Sequence, residues 1–593
     1  MKRDPLVVLH DTFGFAAFRG VQDQVVSRVL ARQNTLAIMP TGAGKSLCYQ
    51  LPAVTLDGCC VVISPLIALM HDQLRAAHSL GIRAASLTSV DTDWQETQDR
   101  FRNGDLDLLY VAPERASSEG FRNLLSSAPL SMFAIDEAHC VSEWGHDFRP
   151  DYRLLRPLLD RFADCPRLAL TATADAHTRE DILKQLGIDR DGMIIAGFDR
   201  PNIRYAVHPR DGLATQIGDL VAANRGPGIV YAQTRAATEK LAQQLGGKDG
   251  KRQVRAYHAG MPPEIRRANQ NAFIASEDMV MVATVAFGMG IDKPDVRFVA
   301  HAGLPKSIEG YYQESGRAGR DGEPAQAHLF WGADDFARAR TRVNEVEESR
   351  RAGERTRISA LGALVETGSC RRAILLRHFG ESPPESCGNC DNCLTPPASI
   401  DATQTARKLL SAVYRTGQSF GLAHLESVLL GQSNDKVLQR GHDKLSVFGI
   451  VQGDEAALIK PVSRALLLRD ALDTNEHGGL MLGAEARAIL RGDVAVSLVL
   501  PPKPARRSKR DAAALVSPAN NPLFEALRAC RRSLALNGGV PPYVIFHDST
   551  LREMADSKPS SLQALSQVSG VGTRKLDAYG DAFLAVIRDN RDA

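Results

Sequence analysis

The apolar run TLAI at residues 35–38 leads into MPTGAGKS at residues 39–46, and then into LCYQL, whose composition suits a helix. Glycines in such a turn let backbone N–H groups point inward, and the start of the helix adds partial positive charge. The lysine can then reach the β- and γ-phosphates of a nucleotide, and the next hydroxyl can offer an oxygen to Mg²⁺. This pattern indicates a phosphate-binding loop made of Thr41, Gly42, Ala43, Gly44, Lys45 and Ser46. Met39 stands where the strict pattern has glycine, so a chance turn between strand and helix is the alternative.

Size and composition limit the interpretation. A chain of 593 residues is too long for one hydrophobic core, and 44% apolar with 24% charged residues is typical of a folded multidomain protein. Its 72 basic and 69 acidic side chains give a formal net charge of +3, so a surface for an anionic partner must be local. We find no apolar run of about 18 residues and no secretory signal, and therefore expect a cytoplasmic protein.

A short segment upstream of the loop carries groups suited to an adenine base. The carboxamide of Gln22 can pair with adenine through two hydrogen bonds, and the ring of Phe15 can stack on the base. An amphipathic N-terminal helix with Phe13, Phe15 and Phe18 in the core is an equally good interpretation of these residues.

Strand-like apolar runs alternate with helical segments in the first third of the chain. Each run is followed by a polar cluster, and the runs lie at 61–63, 106–111, 132–135 and 168–170. This alternation indicates a parallel sheet covered on both faces, and such sheets bind ligands beyond the carboxyl ends of their strands. Asp136 can hold Mg²⁺ opposite Ser46, and Glu137 can orient and deprotonate a water. Two solvated acids at a strand end are the alternative.

The order of these motifs resembles that of superfamily 2 helicases of the DEAH-box type. The resemblance is carried by Gln22, the loop at 40–46, Asp136-Glu137-Ala138-His139 and Thr171-Ala172-Thr173. Those helicases also lack the first glycine of the strict loop pattern. The resemblance implies ATP and Mg²⁺ as cofactors, with Phe15, Arg19 and Gln22 holding the adenine.

The run HCVSEWGHDFRP at 139–150 resembles the aromatic-rich loop of RecQ helicases, which couples single-strand binding to ATP hydrolysis. Trp144 and Phe148 can stack on bases, and Arg149 can meet a phosphate or a ring face. A plain core position is the alternative for Trp144, one of three tryptophans in the chain. The resemblance implies DNA contacts by Trp144, Phe148 and Arg149.

The alternation of strands and helices restarts near Gly197, without a second phosphate loop. The segment YYQESGRAGRDG at 311–322 carries two arginines three residues apart, which predicts that both lie on one face of a helix. Such arginines can fork onto phosphate oxygens, and one supplied across a cleft speeds phosphoryl transfer by roughly 10³- to 10⁵-fold. A solvated helix face is the alternative. The segment resembles the second RecA-like domain of the helicases, with Gln313, Arg317 and Arg320 facing the γ-phosphate.

Four of the ten cysteines are grouped, namely Cys370, Cys387, Cys390 and Cys393. Four thiolates in a tetrahedral arrangement suit Zn²⁺ and leave no open position, so we expect a structural site. An iron–sulfur cluster is the rival. The place of the cysteines in the chain resembles the RecQ zinc-binding domain, which implies zinc.

The last third of the chain carries fewer chemical groups. GHDKLSVFG at 441–449 resembles the RecQ winged-helix domain, and the Pro- and Arg-rich stretch at 501–510 predicts an extended basic linker. Residues 520–590 resemble a helicase-and-RNase-D C-terminal domain, which is a helical bundle. There we expect Gly570 and Gly572 to free backbone N–H groups for a phosphate, and Tyr543 either to stack on single-stranded DNA or to pack in the core.

The whole chain thus resembles a bacterial RecQ-family DNA helicase. The predicted fold is two tandem RecA-like α/β domains with parallel sheets and helices on both faces, then a small zinc-binding helical domain, a winged-helix domain and a C-terminal helical bundle. The expected boundaries are 1–207, 208–341, 342–400, 401–500, a basic linker at 501–518, and 519–593.

The resemblance implies an ATP-dependent helicase that moves 3′-to-5′ on single-stranded DNA and unwinds duplex or branched DNA in recombination and repair. We expect a nucleoid-associated monomer that binds single-stranded and forked DNA, with single-strand-binding protein as a candidate partner. Two other classes stay open, a translocase that remodels nucleoprotein without strand separation and a non-catalytic DNA-binding scaffold. A scaffold predicts a degraded site, whereas Lys45, Asp136 and Glu137 are present.

Overall fold

The computed structural model describes residues 4–88, 91, 93–142, 148–246, 252–288, 293–475, 478–500 and 522–590. Within them, a first sheet of seven strands runs in the spatial order β3-β4-β2-β5-β6-β1-β7, and its pairings are parallel. Its strands are β1 (Thr35–Ile38), β2 (Cys59–Ile63), β3 (Ala84–Leu87), β4 (Leu108–Val111), β5 (Leu130–Ile135), β6 (Arg167–Thr171) and β7 (Met193–Ile195). Because β5, β6 and β1 are neighbours, the loops that follow them lie together at one edge of the sheet.

Both faces of this sheet are buried. Leu36 and Ile38 belong to one hydrophobic core, and the intervening Ala37 belongs to another on the opposite face. The covering helices are α1 (Pro5–Asp11), α2 (Gln22–Leu30), α3 (Leu47–Thr55), α4 (Ile67–Ser79), α5 (Trp94–Arg102), α6 (Pro113–Ala116), α7 (Glu119–Leu125), α8 (Pro150–Arg153), α9 (Arg156–Arg161) and α10 (Ala176–Leu186).

The second α/β unit, or second half, has a parallel sheet of six strands in the order β10-β11-β9-β12-β13-β8. Its strands are β8 (Ile203–Pro209), β9 (Gly228–Tyr231), β10 (Val254–Tyr257), β11 (Val280–Ala283), β12 (Phe298–His301) and β13 (Ala325–Trp331). Its helices are α11 (Leu213–Ala223), α12 (Arg235–Gly246), α13 (Pro263–Ala275) and α14 (Ile308–Ser315). The prediction of two α/β units with parallel sheets covered on both faces is confirmed.

The remainder of the chain is mainly helical. The zinc module, residues 333–394, contains α15 (Ala333–Glu345), α16 (Glu348–Glu366), α17 (Arg371–His378) and α18 (Asp391–Leu394). The winged-helix region contains α19 (Thr403–Arg415), α20 (Leu422–Leu429), α21 (Asp435–Gln439), α22 (Ile459–Leu468) and α23 (Ala486–Arg491). The C-terminal bundle contains α24 (Pro522–Gly538), α25 (Pro542–Ile545), α26 (Asp548–Ser557), α27 (Leu562–Leu565) and α28 (Thr573–Asp589).

The winged-helix region also contains two antiparallel strand pairs that its sequence did not reveal. They are β14 (Ala398–Asp401) with β17 (Ser497–Leu500), and β15 (Leu472–Thr474) with β16 (Leu480–Leu482). The predicted basic linker lies outside the described residues. In the part of the chain that is described, no helix is long and apolar enough to cross a membrane.

Candidate nucleotide cleft and zinc centre

A cavity of about 540 Å³ lies between the two α/β halves. It collects the predicted nucleotide-binding residues of both halves. These are Phe15, Arg19, Gln22, Thr41, Gly42, Ala43, Gly44, Lys45, Ser46, Asp136, Glu137, Gln313, Arg317 and Arg320. A volume of this size is typical of a small-molecule site, so the arrangement can hold one ligand between two sets of charged groups.

The phosphate loop follows β1, and α3 begins directly after it. Gly42 and Gly44 have φ values of 83° and 75°, a backbone conformation that favours glycine. The space is also limited, because a Cβ atom at Gly42 would lie 3.3 Å from the Cα of Arg320. Lys45 Nζ donates to the carbonyl of Met39 at 3.2 Å, which holds the ammonium over the loop.

The two carboxylates lie at the end of β5, and the backbone of Glu137 is strained there. Glu137 has φ 48° and ψ 47°, a left-handed conformation that costs a non-glycine residue about 1 kcal/mol or more. Its Oε2 is 3.4 Å from His139 Nδ1, which is also 2.9 Å from Thr171 Oγ1 at the end of β6. The hydroxyl of Tyr152 donates to the backbone carbonyl of Asp136 at 2.8 Å. Strain concentrated at a paired carboxylate is typical of a functional site.

The alternative interpretation of the segment before α2, an amphipathic helix carrying Phe13, Phe15 and Phe18, is wrong, because residues 12–21 form turns and irregular backbone between α1 and α2. Phe13 is 8% exposed and belongs to the core, whereas Phe15 lines the cavity with Arg19 5.6 Å above its ring. Gln22 is buried, and its Nε2 donates to the carbonyl of Ala43 at 2.9 Å. In this structure the carboxamide of Gln22 therefore braces the phosphate loop, and its contact with adenine stays a prediction.

The expectation that Arg317 and Arg320 share one helical face is wrong. The preceding helix α14 ends at Ser315, and both arginines lie in the turn that follows, where Gly319 has a left-handed φ of 57°. Both side chains nevertheless line the cavity, Arg317 being buried and Arg320 packing on Gly42. Gln313 lies on α14 and is half-buried.

The predicted DNA-contacting loop is described only in part, and Trp144 lies outside the described residues. Phe148 is half-buried, with the guanidinium of Arg153 5.4 Å from its ring centre. Arg149 Nη1 donates to the carbonyl of Pro65 at 3.0 Å, which attaches the loop to the segment after β2. The loop is thus attached to the edge of the first sheet at which the phosphate loop also lies. The DNA contacts of Phe148 and Arg149 stay predictions.

The four grouped cysteines converge on one point, because all four sulfur atoms lie within 4.8 Å of one another. The Sγ atoms of Cys370 and Cys390 are 3.9 Å apart, and those of Cys387 and Cys393 are 4.0 Å apart. A tetrahedral zinc ion with Zn–S bonds of about 2.3 Å would need sulfurs about 3.8 Å apart, so these residues fit Zn²⁺. An iron–sulfur cluster spaces its cysteines around several irons and fits less well. Burial acts to raise the pKa of the Cys393 thiol, but hydrogen bonding, including that from Ser386, lowers this pKa to about 6. A lowered pKa favours the thiolate, which is the form that binds metal.

The zinc module is bonded to the connector, residues 198–203, which joins the two halves. Arg372 Nη2 donates to the carbonyl of Ile203 at 2.7 Å, and Asn389 Nδ2 donates to that of Pro201 at 3.1 Å. The ring of Phe379 stacks on Phe198 with centres 4.7 Å apart. One continuous hydrophobic core includes residues of both halves and of the module.

The C-terminal bundle docks on the first half beside the mouth of the cavity. The N–H of Gly570 donates to the carbonyl of Gly14 at 3.1 Å, and Thr573 Oγ1 donates to the carbonyl of Asp11 at 3.0 Å. The expectation that Gly570 presents a free N–H to a phosphate is therefore wrong. Sequence analysis also missed three bundle residues that line the cavity, His547, Thr550 and Ser569, because no local pattern reports a contact across most of the chain.

The bundle also contacts the second half, mainly through charges. Glu277 accepts hydrogen bonds from Arg531 Nη2 at 2.6 Å and from Arg532 Nη2 at 2.5 Å. Burial acts to raise the pKa of Glu277, and the neighbouring arginines hold it below its ordinary value. The ring of Tyr543 lies 5.8 Å from Lys293 Nζ of the second half, so in this arrangement the tyrosine is packed in the interface and its stacking on DNA stays a prediction.

Two α/β units that enclose one cavity, with a phosphate loop in the first and arginines in the second, define a helicase-type ATPase. Family models agree with each part of the chain. They are the DEAD/DEAH box helicase model at 19–182, the helicase conserved C-terminal domain at 213–322, the RecQ zinc-binding model at 333–394, the RQC domain at 396–507 and the HRDC domain at 520–587.

Curated relatives narrow the class. The ATP-dependent DNA helicase RecQ of Haemophilus influenzae is 41% identical over 602 residues, which cover 100% of this chain and 96% of the relative. RecQ of Bacillus subtilis is 38% identical with 97% of each chain covered, and the RecQ-like DNA helicase BLM of Xenopus laevis is 33% identical over 99% of this chain and 46% of the relative. The chain belongs to the RecQ family of ATP-dependent DNA helicases.

Proposed function

We propose that this helicase hydrolyses ATP with Mg²⁺ in the cleft and uses the cycle to move 3′-to-5′ along single-stranded DNA, unwinding duplex or branched DNA. The observation that carries the proposal is the convergence of Lys45, Asp136 and Glu137 of one half with Arg317 and Arg320 of the other on one cavity. Groups that bind phosphate, hold a metal, activate water and stabilise developing charge are the set that phosphoryl transfer to water requires.

Each side chain then has a definite role. Lys45 and the loop amides hold the phosphates, Ser46 and Asp136 hold the ion, and Glu137 takes the proton of the attacking water. When held there, Mg²⁺ would supply positive charge that stabilises the phosphates during transfer. Across the cleft, Gln313, Arg317 and Arg320 stabilise the charge that develops on the γ-phosphate. Phe15, Arg19 and Gln22 hold the adenine, and Zn²⁺ on the four cysteines is structural.

Motion comes from closing and reopening the cleft, which moves one half relative to the other along the strand. Trp144, Phe148 and Arg149 contact single-stranded DNA, and Tyr543 contacts it when the bundle is released. Contacts of this base-independent kind suit an enzyme that must release DNA at every step. The proposed setting is recombination and repair at the nucleoid, as a cytoplasmic monomer with single-strand-binding protein as a candidate partner.

The experiment measures ATP hydrolysis with and without single-stranded DNA, together with strand separation on duplexes carrying a 3′ or a 5′ tail. We expect DNA-stimulated hydrolysis and unwinding only from the 3′ tail, both lost in Lys45→Ala and kept in Lys184→Ala, which removes an exposed lysine of the same half. Unwinding that survives Lys45→Ala, or needs a 5′ tail, would contradict the proposal. Hydrolysis without strand separation would instead favour a nucleoprotein-remodelling translocase.

A further inference from the structure

Arg200 of the connector is a buried arginine that touches both halves of the motor. It is 9% exposed. Its Nη1 donates to the carbonyl of Thr41 in the phosphate loop at 2.6 Å and to that of Gly316 at 3.2 Å. Its Nη2 donates to the carbonyls of Ala318 and Gly319 at 3.0 and 2.9 Å. One guanidinium thus binds the phosphate loop and the turn that carries Arg317 and Arg320.

The carbonyls of Gly316 and Ala318 need outside donors because α14 ends at Ser315, whereas the carbonyl of Gly319 also accepts from the N–H of Gly322 at 3.1 Å. Arg200 supplies them, and Asn202 Nδ2 adds a hydrogen bond to the carbonyl of Gly319 at 2.8 Å. Burial lowers the pKa of Arg200, but arginine stays charged at neutral pH. The buried positive charge therefore interacts with the carbonyl oxygens that its N–H groups contact. The guanidinium presents its donors in a rigid planar fork, whereas the ammonium of lysine is a compact charge on a flexible stem that cannot reproduce this geometry.

The two halves also meet directly at this point. Thr41 Oγ1 donates to the carbonyl of Gly316 at 3.0 Å, and a Cβ atom at Gly316 would collide with that hydroxyl. The contact brings the phosphate loop within one residue of Arg317. An error in the position of this turn would therefore move both arginines relative to the phosphates that Lys45 holds.

We infer that Arg200 is a positioning residue for hydrolysis, which holds the turn at 316–319 against the phosphate loop and so aims Arg317 and Arg320 at the γ-phosphate. The inference rests on the proposed roles of those two arginines. Arg200 itself does not line the cavity and acts through them. A misplacement of about 1 Å in a reacting geometry can cost on the order of 100-fold in rate, which sets the scale of the effect.

The test compares Arg200→Lys with Arg167→Lys. Arg167 is also buried and also donates to backbone carbonyls, those of Leu186 and Leu159, but it lies at the start of β6, at the opposite end of the sheet from the cleft. We expect Arg200→Lys to lower the kcat of DNA-stimulated hydrolysis about 10- to 100-fold, with the Kd for a fluorescent ATP analogue changed less than about threefold. ADP with aluminium fluoride, which mimics the phosphoryl group in transfer, should bind at least about 10-fold more weakly. Arg167→Lys should change none of these values beyond about threefold.

Two further variants keep the result decisive. Asn202→Ala removes a hydrogen bond to the same turn without changing a buried charge, and it should also lower kcat. It therefore tests the positioning role even if Arg200→Lys does not fold. Arg320→Ala tests the proposed function separately, with an expected loss of about 10³-fold or more. If Arg320→Ala is inactive while Arg200→Lys and Asn202→Ala keep their kcat, only the positioning role is refuted; if Arg320→Ala stays active, the proposed function fails. A loss in Arg200→Lys that appears only as weaker nucleotide binding would also overturn the inference.

Discussion

Replacing Glu277 with Gln should release the C-terminal bundle from the motor. Glu277 and Arg531 form a buried ion pair, with side chains 5% and 2% exposed and atoms 2.6 Å apart. Breaking a pair of this kind costs about 3–5 kcal/mol, because the remaining charge stays buried without compensation. Arg531 keeps Asp548 at 2.7 Å, and the pair with Arg532 contributes little because that arginine is 63% exposed. We therefore expect a loss of about 2–3 kcal/mol in docking free energy.

Hydrogen exchange at Gly570 measures this loss directly. The amide of Gly570 is bonded to the carbonyl of Gly14 only while the bundle is docked. A loss of 2–3 kcal/mol corresponds to a population of the released state that rises about 30- to 150-fold, and the protection of this amide should fall by the same factor.

The neighbouring Asp278→Asn is the matched control. Asp278 carries the same charge one residue further on, is 61% exposed, and pairs with Arg252 of its own half. Its replacement should leave protection at Gly570 unchanged. If Glu277→Gln also leaves that protection unchanged, the ionic cluster does not hold the bundle and the reasoning fails.

Three other outcomes follow from the site and the core. Glu137→Gln should lower kcat by about 10²-fold or more while nucleotide still binds, as titration with a fluorescent analogue would show. Metal analysis should find one zinc per chain, and Cys390→Ser should lose zinc and solubility together; finding iron, or no metal, would end the assignment. Burial raises the pKa of Glu366 from 4.5 to about 7, despite Arg464 and Arg469 nearby, so the folded chain holds a proton that the unfolded chain releases. Stability should thus fall as pH rises from about 4.5 through 7, and Glu366→Gln should recover up to about 3 kcal/mol at pH 8, with a gain that shrinks towards pH 5 in denaturation curves.

Much of the nucleotide site could be predicted from sequence because its chemistry lies in short runs. The phosphate loop needs glycines, lysine and serine side by side, and Asp136 and Glu137 follow a strand that neighbours β6, which in turn neighbours β1. The parallel sheet then brings these runs to one edge without any further information. The four cysteines are similar, since their grouping in the sequence predicted a common metal site and the fold brings their sulfur atoms together.

The predictions for Arg317, Arg320 and Gly570 were wrong because residues distant in sequence form hydrogen bonds with the backbone at these positions. Spacing alone placed Arg317 and Arg320 on a helix, but Gly319 takes a left-handed conformation and Arg200, more than a hundred residues earlier, satisfies the carbonyls of the turn. Gly570 could not be assigned for the same reason, because its partner is Gly14 at the other end of the chain. Hydrogen bonds between such distant residues depend on the assembled fold, and a local sequence pattern cannot predict them.

The attachment of the zinc module to the connector has a thermodynamic consequence. Zn²⁺ would hold together Cys370, Cys387, Cys390 and Cys393, and the module they form is bonded to Pro201 and Ile203 of the same connector as Arg200. The free energy of metal binding is therefore coupled to the geometry of the connector, and through it to nucleotide binding in the cleft. Such coupling changes both binding equilibria by the same factor. A nucleotide that changes the affinity of the module for zinc should consequently have its own affinity changed by zinc by the same factor, which paired equilibrium titrations of metal and nucleotide would measure.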